Sequence, residues 1–188
     1  MPFEFSRLSI PDVVLIRARV FADSRGAFWE SFRQTLFESF GLPAQFPQDN
    51  VSYSARGVLR GLHYQLRPKA QAKLIMPLEG EIFDVAVDIR RGSPTYAQWV
   101  GHNLSAERHE LLFIPEGFAH GFCVLSERAI VHYKVTAEYA PEAERGIRWN
   151  DPRLAIAWPC AEPLLSEKDQ CLPFLNQAEI NFEYARHE

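Results

Sequence analysis

A chain of 188 residues, 47% hydrophobic and 23% charged, holds enough material for one buried core and little reason to divide into two. Its net charge of −4 excludes nucleic-acid binding by broad electrostatic attraction, and no run nears the ~20 apolar residues of a membrane helix. Blocks of like charge and low-complexity tracts are absent, which excludes a disordered chain.

The first residues, "MPFEFSRLSIPDVV", lack the basic segment, apolar stretch and small-residue cleavage site of a secretory signal, which predicts a cytoplasmic protein. A first strand is expected in "VVLIRARVF", and "RQTLFESFG" (33–41) reads as a single helix ended by Gly41. Short runs with a period of two come next, in order: "GVLRGLHYQ", "KLIMPL", "EIFDVAVDIR", "AQWVGHNL", "HELLFIP", "HGFCVL" and "AIVHYKV". In "EIFDVAVDIR" the alternation predicts Phe83, Val85, Val87 and Ile89 facing inward, with Asp84, Ala86 and Asp88 on the other face. Turn signals separate these runs, among them "PLEG", "RRGSPT", "PEGF" and "WNDP", and a short helix is expected near Ser166. Seven or more short strands with 13 Pro and 10 Gly point to an all-β sandwich or barrel, a single domain over residues 1–188.

Charge is unevenly placed along these elements. Between Asn50 and Leu78 there is no acid, while Arg56, Arg60, Arg67, Lys69 and Lys73 all fall there. Such a field suits a small anionic ligand such as a phosphate ester, with a solvated basic face as the equal alternative. By strand parity Tyr133 points inward with Val131 and Val135, and His63 lines up with Leu59, Gly61 and Gln65. Taken singly, each fits a satisfied core residue; together they would place an imidazole and a phenol in the mouth of a barrel. Arg60 has the opposite parity from His63, so it serves the rim unless Gly61 marks a bulge that turns both to one side.

In "PEGFAHGF", Pro115, Gly117 and His120 form a PxGxxH pattern that resembles the second half of the cupin signature. The strand where metal-binding cupins carry two histidines and a glutamate holds His63 alone, with no acid until Glu79, so no metal is expected. The three cysteines, Cys123, Cys160 and Cys171, have no CxxC spacing and read as reduced, structural thiols.

Across nearly the whole chain, through "FADSRGAFWES", "PQDNVS", "GVLRGLHYQ", "AQAKL", "LFIPEGFAHGF", "YKVTAEYAPEAERGIRWNDP" and "LSEKD", the sequence resembles the dTDP-4-dehydrorhamnose 3,5-epimerases, a branch of the cupins. The resemblance implies a cupin-type jelly roll (double-stranded β-helix) with a few short helices. It also implies inversion at C3 and C5 of a nucleoside-diphosphate 4-keto sugar without cofactor or metal. Carried over position by position, His63 is the general base, Asp169 its orienting carboxylate, Tyr133 the acid from the opposite face and Lys73 the cation beside the C4 oxygen. Without the resemblance, Ser166 three residues before Asp169 would read as a capping box and Lys73 as a solvated lysine.

The further matches bind substrate. Arg60 is placed at the diphosphate and Tyr139 on the thymine ring, with Gln48, Asp49, Asn50, His120, Glu144 and Lys168 as other contacts. Arg25 and Glu30, from "DSRGAFWES", would complete the site of a second copy, which implies a homodimer. Met76 stands where many relatives carry a basic residue, at the expense of a nucleotide or sugar contact. Rival readings are a monofunctional epimerase acting at one carbon, a non-catalytic nucleotide-sugar binding module and a metal-dependent cupin oxygenase. The module has no need of His63 and Tyr133, and the oxygenase lacks its ligands.

Overall fold

The computed structural model describes residues 1–185. Two antiparallel sheets face one another. The six-stranded sheet is built from β1 (Phe3–Arg7), β2 (Val14–Ala18), β5 (Gln48–Ala55), β7 (Lys73–Glu79), β10 (Glu110–Ile114) and β12 (Arg128–Val135), in the order β1-β2-β10-β7-β12-β5. The five-stranded sheet comprises β6 (Leu59–Gln65), β8 (Glu81–Asp88), β9 (Trp99–Ser105), β11 (Phe118–Val124) and β13 (Glu144–Gly146), ordered β13-β6-β11-β8-β9. Strands adjacent in sequence, such as β6 and β7, lie in different sheets, which is the jelly-roll alternation. A separate hairpin, β3 (Val20–Asp23) with β4 (Gly26–Trp29), stands apart from both.

Three apolar layers result from this arrangement. Between the sheets, Leu15, Ile75, Leu112 and Val131 of one meet Ile82, Ala86, Leu104 and Phe122 of the other. Outside the six-stranded sheet, helix α1 (Gln34–Ser39) lays Phe37 on Val14, Ile16 and Leu111, with Phe3 and Phe5 at 5.5 Å from its ring. As expected from sequence, Gly41 ends this helix: its φ is +82°, its N–H donates to Glu38 O, and Leu42 N–H donates to Phe37 O. Outside the five-stranded sheet, Val85, Val87 and Ile89 lie beneath the C-terminal segment through Ile147, Leu154, Leu175 and Phe182.

That third layer corrects the reading of β8 as a half-buried strand with its apolar face inward. Both faces are buried, and it is Ile82, Asp84 and Ala86 that face the interior between the sheets. Alternation identified the strand, but a sheet covered on both sides leaves the inner face undetermined. Met76 likewise points outward, packed with Leu74 and Phe113, while Lys73 and Ile75 take the inward parity. The expected loss of a contact at Met76 therefore does not fall on the inter-sheet cavity of this chain.

No helix among the described residues is long and apolar enough to cross a membrane.

Candidate active site

The placement of Arg60 beside His63 depends on an irregularity in β6. His63 pairs with His120 and Arg60 with Phe122, so three steps on β6 match two on β11. The extra residue is a bulge at Gly61, and it turns Arg60 and His63 to the same side of the sheet, resolving the parity question in favour of the bulge. Only glycine fits there: φ is +124°, and a Cβ would stand 2.5 Å from Gly121 Cα and 2.7 Å from His120 O.

A cleft of about 250 Å³ opens between the sheets at this end of the roll. From the five-stranded sheet it is lined by His63, Gln65 and Glu144; from the six-stranded sheet by Gln48, Asn50, Lys73 and Tyr133, with Tyr139 at its mouth. Thus an imidazole and a phenol occupy opposite walls.

His63 Nε2 lies 2.6 Å from Asp169 Oδ1. Helix α2 (Glu167–Gln170) carries that carboxylate, and Ser166 caps the helix by accepting the Asp169 N–H at 3.1 Å, so the residue whose N–H is capped by Ser166 also meets His63. Burial would raise the Asp169 pKa, but the hydrogen bond and charge of His63, the Ser166 hydroxyl and the Gly61 amide outweigh it and hold the carboxyl below its ordinary range. An ionised carboxylate only accepts, so Nε2 carries the hydrogen of this contact, which leaves Nδ1 as the basic nitrogen of the neutral ring.

On the facing wall, Tyr133 packs against the inter-sheet core, and burial raises its pKa against a smaller opposing pull from Arg60. Beside it, burial lowers the Lys73 pKa to about 8, against the attraction of Asp84 and Glu144. A phenol that keeps its proton and an ammonium close to losing one both suit a site for proton transfer.

Asp84, buried completely, places both oxygens 2.9–3.0 Å from His120 Nε2. Burial lowers the His120 pKa, countered by Asp84 and reinforced by Lys73 and His63. Sequence reading missed Asp84, having assigned it to the outward face, and alternation along a strand buried on both sides offers no signal that would have found it.

Several anticipated binding residues are joined by direct contacts. Arg60 is exposed, its Nε donating to Ser54 Oγ at 3.0 Å across the two sheets. Tyr139 donates its hydroxyl to Glu144 at 2.6 Å, and Lys168 Nζ lies 2.5 Å from the same Oε2. Gln48 accepts the Tyr139 N–H at 2.7 Å and donates to Asn50 at 2.8 Å. Gln65, also unanticipated, accepts the Ala140 N–H and donates to the Lys69 and Glu138 carbonyls, fastening the loop that carries Tyr139.

Three anticipated residues are not brought to the cleft. Asp49 sits on the other face of β5, paired with Lys134 at 2.7 Å. Arg25 and Glu30 belong to the hairpin region, where they bond to Asp23 and Arg33 respectively. Among the described residues, no three of His, Cys, Asp or Glu gather into a set able to hold a metal ion.

A cleft of this kind marks a cupin-type jelly roll equipped for acid–base chemistry. The family model for dTDP-4-dehydrorhamnose 3,5-epimerase matches residues 7–177, and the chain belongs to that family of isomerases. It is 61% identical over 167 residues to the dTDP-4-dehydrorhamnose 3,5-epimerase of Pseudomonas aeruginosa, covering 88% of this chain and 92% of the relative. Its fold matches the Legionella pneumophila 3,5-epimerase in complex with dTDP-4-keto-L-rhamnose with a TM-score of 0.94 and 45% identity, over 98% of this chain and 100% of the other. A 3'-monoepimerase of Streptomyces bikiniensis in complex with dTDP-quinovose is more distant, with a TM-score of 0.85 and 37% identity over 90% and 87% of the two chains.

Proposed function

We propose that the protein inverts C3 and C5 of dTDP-4-keto-6-deoxyglucose, giving dTDP-4-dehydro-L-rhamnose in dTDP-rhamnose biosynthesis. The observation that carries this reading is the 2.6 Å contact between His63 and Asp169 on one wall of a cleft whose facing wall holds Tyr133. The C4 ketone acidifies the hydrogens on both neighbouring carbons. His63, its Nδ1 free, removes one from one face of the ring; the charge passes to the C4 oxygen, where the Lys73 ammonium stabilises it. Tyr133 returns a proton from the other face, so configuration inverts. No change of oxidation state occurs, and the steps require only these proton donors, acceptors and the cation.

Arg60, outside the cleft's lining but on the His63 side of β6, suits the diphosphate, and the half-exposed Tyr139 ring suits a base stacked upon it. Gln48, Asn50, His120, Glu144 and Lys168 complete the binding set. The protein acts as a cytoplasmic homodimer in which Arg25 and Glu30 reach the cleft of a second copy. Favouring this, the hairpin holds Phe21 48% and Phe28 68% exposed, apolar surface that a partner would cover.

Proton NMR of the 4-keto sugar nucleotide in D2O tests the reading. Deuterium is expected at C3 and C5, and absent at both with His63→Ala; exchange at one carbon alone would make the protein a monoepimerase, and exchange at neither would overturn the proposal.

A further inference from the structure

Cys123 and Cys160 read as unrelated thiols in the sequence, 37 positions apart, yet their Sγ atoms meet at 3.1 Å. Both are free, as is Cys171. Cys123 is fixed: it lies on β11, paired to Leu59 on one side and Phe83 on the other, and its side chain has the parity of Ala119, toward the C-terminal covering layer. Cys160 occupies irregular chain between Pro159 and Ala161, is half-buried, and lines a separate open cleft of about 290 Å³ with Trp149 and Trp158. One thiol is therefore hidden on a strand paired on both sides, and its neighbour is partly exposed on irregular chain.

We infer that Cys123 and Cys160 form an oxidisable dithiol, a modification site separate from the epimerase cleft that takes a low-molecular-weight disulfide as its co-substrate. In the reaction the Cys160 thiolate attacks one sulfur of the small disulfide and expels its other half as a thiolate. Cys123 then gives up its proton to solvent and attacks Cys160 Sγ, forming the internal bond and expelling the second thiolate. Two protein thiols become one disulfide while the small disulfide becomes two thiols, so electrons balance. Closing the 3.1 Å gap to a bond of about 2 Å asks for a shift of about 1 Å, which the irregular segment absorbs. Burial and the Cys160 sulfur raise the Cys123 pKa to about 12, which directs the first attack to Cys160.

The bond would tie the strand bearing His120 to the chain that leads into α2, whose Asp169 holds His63. Full-length protein incubated with glutathione disulfide, then alkylated with iodoacetamide and mapped by mass spectrometry, tests the inference without reference to activity. The expected result is a peptide pair joined through Cys123 and Cys160, with no alkylation at either. Cys123→Ser should instead trap glutathione on Cys160, and Cys160→Ser, altering the half-exposed position, should leave Cys123 reduced. Alkylation of Cys123 and Cys160 in oxidised wild-type protein, or linkage of Cys160 to Cys171, would overturn it.

Discussion

In the role proposed for it, Lys73 would trade stability for chemistry. Its ammonium is held in a buried position and its pKa falls to about 8, below the 10.5 of an unfolded chain, so folding works against its charge below pH 8. Because the folded state binds fewer protons at this group, its contribution to stability rises as pH increases from about 8 toward 10.5. Turnover moves the other way, since a neutral amine no longer stabilises enolate charge: activity should decline as pH rises through about 8. Lys73→Met should abolish turnover while raising unfolding free energy by about 1–3 kcal/mol in urea titrations, since a buried charge gives way to an apolar chain of similar length. For His63→Ala and for Asp169→Asn, kcat should fall by about 10²–10⁴-fold with the circular dichroism spectrum unchanged. Tyr133→Phe should leave C–H exchange in D2O measurable while inverted product disappears; unchanged inversion would remove the phenol from its role.

At the scale of elements, the decisive feature is the bulge in β6. Gly61→Ala would drive a methyl group into Gly121 and the His120 carbonyl, and should cost about 1–3 kcal/mol or more while uncoupling Arg60 from His63. Thermal melts and steady-state rates should fall together, whereas Gly57→Ala, where a Cβ would meet nothing within 4 Å, should show only the modest cost of its positive φ. The bulge also marks where sequence reading changes in power. Tyr133 was legible because β12 is regular and its inward neighbours, Val131 and Val135, are apolar. His63 and Arg60 could be related only by allowing for a bulge, which Gly61 hinted at without fixing. Asp84 was not legible, because period-two alternation cannot tell which face of a doubly covered strand looks into the cavity. The helices were read close to their ends because Gly41 and Ser166 perform local capping tasks that need no tertiary knowledge.

For the whole molecule, the cleft is lined by half of the anticipated site residues; Asp169 and Lys168 join it through His63 and Glu144, Arg60 and His120 lie on the His63 side of their sheet, and Arg25, Glu30 and Asp49 stay away. No local signal relates a hairpin to the cavity of another copy. If the dimer shares its sites, mixing inactive Arg25→Ala and His63→Ala chains and letting them reassort should restore about a quarter of wild-type activity, because half the dimers are mixed and each has one intact site. Absence of any recovery in reassorted dimers would place each site within one chain. The C-terminal segment carries a different consequence. The last strand of the roll, β13, ends at Gly146, but Asp169 lies beyond it, and the outer face of the five-stranded sheet is covered largely by chain on the C-terminal side of that strand. During synthesis, then, the strands can all have left the ribosome while the base still lacks its partner and Val85, Val87 and Ile89 remain uncovered. A chain cut short there would be both catalytically silent and adhesive, so one stretch of chain, emerging after the strands, both sheathes the sheet and brings a carboxylate to His63.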